Sequence, residues 1–246
     1  MDLENELSGR LTRGSRARCL ALTSTSDRLI QKLGNLVKPF ATFDPDDLVY
    51  FPKGPRSPDE AKLGETACLL DVELRKAVTS WWLAVRRAAN TPNWDIAVRC
   101  LILGRPGLIL VEAKAHDKEF GLGGFGATNP DNKERIRQAV YEANCWLNAG
   151  WPKWNLDVES HYQLSNRFTW AWKVASMGVP VILLWLGFLN AEEMRDRGKP
   201  FGSPDEWLYA VLNYAKGVVP DDVWGRAIEV NGTPFLPLIR SLSVDL

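Results

Sequence analysis

Residues 94–115 run Trp94-Asp95-Ile96-Ala97-Val98-Arg99-Cys100-Leu101-Ile102-Leu103, then Gly104-Arg105-Pro106-Gly107, then Leu108-Ile109-Leu110-Val111-Glu112-Ala113-Lys114-Ala115. Two apolar, β-branched runs around a Gly/Pro cluster predict an antiparallel hairpin with a four-residue turn at 104–107. Side chains alternate along a strand, so Glu112 and Lys114 share a face with Leu108 and Leu110, while Ile109, Val111 and Ala113 face the other way. A carboxylate and an ammonium in so apolar a run need a reason, because burying an unpaired ion costs several kcal/mol. A register symmetric about the turn pairs Asp95 with His116, on the face of Glu112 and Lys114. It also leaves Asp95 about four residues, or roughly 13 Å, along the strand from Glu112. A bulge, a twist or a register shift must close that gap before both can hold one ion.

Outward from the hairpin, Leu63, Ala67, Leu70, Leu74, Val78, Trp81 and Val85 form an apolar stripe at spacings of three and four. That pattern predicts a helix over 58–87, ended by Asn90-Thr91-Pro92-Asn93. A further helix is expected over 20–37, followed by a proline-containing surface connection over 39–59. Downstream come a glycine-rich loop at 121–126 and helices at 131–149 and 160–177. The first helix carries Ile136, Val140, Ala143 and Leu147 on one face; the second buries Leu164, Phe168, Ala171 and Ala175. Val179–Leu189 reads as a central strand buried on both faces. Ser203-Pro204-Asp205-Glu206 is a capping box opening a helix to Ala215, and Asn231-Gly232 marks a small hairpin within 226–240. The order predicts an α/β fold, a three-layer sandwich with a central mixed β-sheet flanked by helices. Residues 1–58 form an N-terminal helical segment and linker, and residues 59–246 the main domain with its C-terminal helix and hairpin.

The chain has 246 residues, 46% of them hydrophobic and eleven of them tryptophan, which amply supplies a core. Lys+Arg and Asp+Glu balance at 30 each, so any anion-binding face must come from local clustering. Arg10, Arg13, Arg16 and Arg18 are one such cluster and Arg86-Arg87 another. The cysteines Cys19, Cys68, Cys100 and Cys145 are scattered and read as buried thiols of a reducing compartment. With only His116 and His161 besides, a structural zinc is not expected. The acidic, polar N-terminus argues against a secretory signal, and the apolar run at 179–189 is too short to span a bilayer. The expectation is a cytoplasmic protein with no membrane partner.

An Asp opening one strand and Glu-x-Lys closing the next after a short turn, with a helix before and helices after, resembles the PD-(D/E)XK nuclease superfamily. Here the elements are Asn93-Trp94-Asp95-Ile96-Ala97 and Leu110-Val111-Glu112-Ala113-Lys114, within a resemblance covering roughly residues 60–190. Trp94 is a departure, standing where the family pattern has Pro. The resemblance implies a restriction-endonuclease-like fold and Mg²⁺- or Mn²⁺-dependent hydrolysis of DNA phosphodiester bonds. Asp95 and Glu112 would bind the metal, and Lys114 would be catalytic. It also implies a glutamate from the first helix. Glu65, amid Ala61, Cys68 and Val72 on the helical wheel, is the candidate, with Glu73 as runner-up. Polar residues from a later helix are expected too: Gln163 and Arg167, with Gln138 and Glu142 competing for that role. DNA is the expected partner, and a homodimer is compatible with the sequence. The alternative is a nuclease-fold protein with weak or no catalysis that binds nucleic acid or a partner protein. At the level of residues alone, a surface ion pair of Lys114 with an acidic neighbour accounts for the same motif.

Two other features compete for function. Gly121-Leu122-Gly123-Gly124-Phe125-Gly126 formally matches a dinucleotide fingerprint, but Ala-Thr-Asn-Pro-Asp intervenes before the next helix, so a loop bordering the active face is the better reading. Trp146, Trp151 and Trp154 flank a turn and could stack on bases, although core packing is the commoner role.

Overall fold

The computed structural model describes residues 11–86 and 89–246. Its helices are α1 (Gly14–Leu22), α2 (Ser26–Val37), α3 (Val72–Trp82), α4 (Pro130–Gly150), α5 (Tyr162–Ser176) and α6 (Pro204–Ala215). Its strands are β1 (Ala41–Thr42), β2 (Tyr50–Phe51), β3 (Ala61–Lys62), β4 (Asn93–Trp94), β5 (Ile96–Ile102), β6 (Arg105–Lys114), β7 (Val181–Leu189), β8 (Ile228–Val230) and β9 (Thr233–Ser243). The main sheet runs β1-β5-β6-β7-β9-β8, with β2 also pairing to β5. Pairing is antiparallel between β5 and β6, parallel from β6 through β7 to β9, and antiparallel again at β8. The fold is therefore mixed α/β around a mixed sheet.

Both faces of that sheet are covered. Ala97, Leu108, Leu110, Leu183 and Trp185 pack with residues of α3, α4, α5 and α6. Val98, Ile109, Val111, Ile182 and Leu184 pack with Cys19 and Leu22 of α1 and Leu29 and Leu33 of α2. β7 is buried along its whole length, as a continuous apolar run requires, and each large side chain buried there stabilises by about 1.5–3 kcal/mol.

The hairpin departs from the expected turn in a way that matters. Ile102 pairs with Arg105, so the turn is the two residues Leu103-Gly104, both at positive φ (48° and 78°). This is the type I′ geometry, whose twist matches that of the flanking strands. The register is moved by four residues, and an even shift leaves every side chain on its expected face.

Four other expectations need correction. The 58–87 stripe is helical only over α3. Residues 61–62 are strand β3, paired to β4, and 63–70 are turns; Asp71 caps α3 by accepting from Leu74 N at 2.8 Å. Gly64 lets this turn segment lie close against α3, because a Cβ there would meet Thr79 Oγ1 at 2.5 Å and Thr91 Cγ2 at 2.7 Å. The 20–37 helix is really α1 and α2, broken where Thr25 caps α2. The boundary at 58/59 separates nothing: β1 and β2 add to the edge of β5, and α1 and α2 supply one covering layer. Of the four cysteines, Cys19 and Cys100 are buried, but Cys68 and Cys145 are exposed. Among the described residues no helix is long and apolar enough to cross a membrane.

Candidate active site

The shifted register closes the gap at Asp95. Ile96 pairs with Val111, so the next residue back, Asp95, lies across from Glu112. The chain bends at Asp95, which leaves β5 and lets Asn93-Trp94 pair with β3 instead. At the bend the Asp95 carboxylate replaces a ladder partner, accepting a hydrogen bond from Ala113 N at 2.7 Å. Lys114 continues the same face, with Gly187 of β7 as its ladder partner.

Glu112 is 1% exposed and is held by two cations. Lys114 Nζ donates to Oε1, and Arg167 Nε donates to Oε2 at 2.5 Å. Arg167 comes from α5, stacks over the Trp94 ring with 4.7 Å to its centroid, and donates to Asn166 Oδ1 at 3.0 Å. Burying Glu112, Lys114 and Arg167, with Asp95 half-buried beside them, is tolerable only because their charges offset each other. Burial opposes the charge on Glu112, yet Arg167 and Lys114 hold its carboxyl below the usual range. Burial likewise opposes the charge on Lys114, yet Glu112 and Asp95 raise its pKa. Asp95 is the member left short of positive charge. Burial first, then Glu112, push its carboxyl up to about 7, against the pull of Lys114, the Ala113 N–H and Arg167.

A raised carboxyl beside a second carboxylate is where a divalent cation would replace a proton. Among the described residues no group of three or more His, Cys, Asp or Glu gathers to hold a metal. Mg²⁺ does not require one, since it commonly takes one or two carboxylates and completes its shell with water and substrate phosphate. Asp95 and Glu112 fit that donor set. Glu112 fits it only by exchanging Arg167 or Lys114 for the ion.

The remaining candidates fall elsewhere. Gln163 lies one turn before Arg167 on α5; its Oε1 is buried without a partner, 3.7 Å from where a Cβ on Gly121 would stand. Glu65 is on the turn after β3, half exposed and paired with Lys62 at 3.4 Å, so it is not part of the cluster. Glu73 is exposed and pairs with Lys76, Gln138 donates to Glu134, and Glu142 binds Trp81 Nε1 and Lys173. The face of α5 carrying Asn166, Arg167 and Trp170 is buried.

The basic N-terminal stretch is already neutralised: Arg13 pairs with Asp196, Arg16 with Glu60 and Arg18 with Glu193. Arg10 and Arg87 lie outside the described residues. The glycine-rich loop does not open a helix. Gly123 and Phe125 donate to Ser160 and Val158, tying it to the segment before α5. Trp154 is buried against Phe168, Trp146 packs on Trp172, and Trp151 donates to Asp222.

Sequence reasoning missed Trp94 as the platform for Arg167, Asn166 as its orienting acceptor, and Tyr214 of α6. Tyr214 is buried, and its phenol is pushed up to about 12 by burial and then by Glu112. Trp94 was at least visible beside Asp95; nothing in the pattern of α6 marks Tyr214. The chain matches no protein-family model, no curated protein and no solved structure.

Proposed function

We propose that this protein is a metal-dependent phosphodiesterase of the nuclease type, with a restriction-endonuclease-like fold and DNA as its substrate. The observation that carries the reading is the hairpin register, which sets Asp95 across from Glu112 with Lys114 next on the same face. A hairpin that served only as scaffold would not need two carboxylates and two cations in so apolar a setting.

Bound Mg²⁺ or Mn²⁺ would supply Lewis acidity and a water of lowered pKa. Asp95 and Glu112 would hold it. Lys114, a compact point charge, would orient the attacking water or offset charge growing on the phosphate. Arg167, once released from Glu112 Oε2, presents a planar fork of donors suited to phosphate oxygens. Glu65 has no part in this scheme. Incubating labelled single- and double-stranded DNA with the protein and Mg²⁺ or Mn²⁺ tests the reading. Cleavage should appear only with metal and be lost in Asp95→Ala and Lys114→Ala; cleavage that persists in both variants sinks the assignment.

One observation favours a second reading, a nucleic-acid-binding protein of the same fold with little catalysis. Both Glu112 oxygens already carry cationic partners, so the cluster balances its charge internally. Salt-dependent DNA binding with no turnover in any divalent metal would select it.

A further inference from the structure

A groove with a volume of about 500 Å³ lies between α6 and residues 117–122. That is within the ~300–1,000 Å³ range of small-ligand sites. Its inner wall is Tyr214 and Phe120, whose rings are 4.8 Å apart. Its rim is the ring of Tyr209 and the side chain of Leu122, which are 73% and 74% exposed. These two exposed side chains flank the groove from opposite sides.

A layer of aromatic side chains, Phe120 and Trp207, connects the groove to the strand beside the charged cluster. Phe120 stacks on Trp207 with 5.7 Å between centroids, and Trp207 lies over Gly187, where a Cβ would collide with its ring. Gly187 is the ladder partner of Lys114. Tyr214, on the same wall, donates to Gly121 O at 2.8 Å and responds electrostatically to Glu112 and Arg167.

Polar groups on the groove match a base and its phosphate better than an apolar peptide. Asn213 and His161 line it, and neither the Asn213 amide nor His161 Nε2 has a hydrogen-bond partner among the described residues. Lys118 also lines it, exposed and with no ion pair among the described residues. The nearby Asp117 carboxylate is already engaged by Lys199 N at 2.8 Å.

We propose that this groove holds an unpaired nucleobase of a single strand, stacked on Tyr209, while Lys118 contacts the adjoining phosphate. The inference rests on the phosphodiesterase reading and narrows its substrate to single-stranded or locally opened nucleic acid. A base still paired in a duplex has no free face to offer such a groove, whereas stacking on an exposed aromatic ring tolerates any base.

The test is fluorescence anisotropy on the full chain in EDTA, which separates binding from cleavage. The probes are fluorescein-labelled oligothymidylate, the matching duplex, and an abasic strand of equal length. The inference expects oligothymidylate to bind more tightly than either of the others. Tyr209→Ala should weaken its binding about tenfold, with Tyr209→Phe close to wild type. Equal affinity of strand and duplex, or unchanged affinity in Tyr209→Ala, overturns it. So does a concentration-dependent dimer that Tyr209→Ala abolishes, because the groove would then belong to a second copy. Failure of metal-dependent cleavage alongside Tyr209-dependent strand binding would instead count against the catalytic reading alone.

Discussion

Asp95 lies across the β5–β6 hairpin from Glu112, its carboxylate accepting from Ala113 N at 2.7 Å. The two-residue turn alone brings them together, and from that relationship the following outcomes are expected.

Leu103 occupies the first position of a type I′ turn at φ 48°, a conformation that costs a β-carbon-bearing residue about 1–2 kcal/mol. Asparagine tolerates it best, and Asn-Gly is the preferred pair. Leu103→Asn should therefore stabilise the protein by about 0.5–1 kcal/mol in urea unfolding. A neutral or destabilising result would mean that the turn is the longer one at 104–107.

Burial and then Glu112 push the Asp95 carboxyl up to about 7 in the folded state, against about 3.9 for an ordinary aspartate. A raised acid binds more protons folded than unfolded, so stability must fall as pH rises between those values and level off above 7. The shift corresponds to a loss on the order of 2–4 kcal/mol from pH 4 to pH 8. Glu112, whose folded pKa is lowered, adds stability mainly at the acid end of this range. Between pH 5.5 and pH 8, the window belonging to Asp95, the wild type should lose stability and Asp95→Asn should not. Mg²⁺ at pH 8 should recover part of the loss. Identical pH profiles in calorimetry would refute this.

On the proposed reading, Arg167 and a bound metal would compete for Glu112 Oε2. Arg167→Gln should bind Mn²⁺ about tenfold more tightly than wild type in an electron paramagnetic resonance titration, while losing stability through the unpaired half of the cluster. Unchanged Mn²⁺ affinity would show that Glu112 is not a ligand.

Glu65 sits half exposed on a turn, its carboxylate paired with Lys62. Glu65→Ala should change stability by no more than about 0.5 kcal/mol and leave cleavage intact. A large loss of activity would restore it to the site.

These outcomes divide along what sequence can and cannot carry. The shared face of Glu112 and Lys114 was legible because strand parity survives any even shift in register. The register itself was not, since Leu103 at positive φ carries no turn signal and the Gly104–Gly107 cluster offers a stronger one. α4, α5, β7 and α6 were legible from periodicity and caps such as Ser203, which accepts from Glu206 N at 3.2 Å. The false helix at 58–71 arose because alternating turns and a short strand mimic a spacing of three and four. Arg167 could be picked from its helix face, but not its place between Glu112 and Trp94, which depends on how α5 crosses the sheet.

The central claim is that Asp95 and Glu112 form one metal site. Anomalous diffraction from crystals grown with Mn²⁺ tests it most directly. The account predicts one manganese within about 2–2.5 Å of an oxygen from each carboxylate, with Arg167 Nε withdrawn from Glu112. No anomalous peak between them at saturating Mn²⁺, with Arg167 still on Glu112 Oε2, would contradict it.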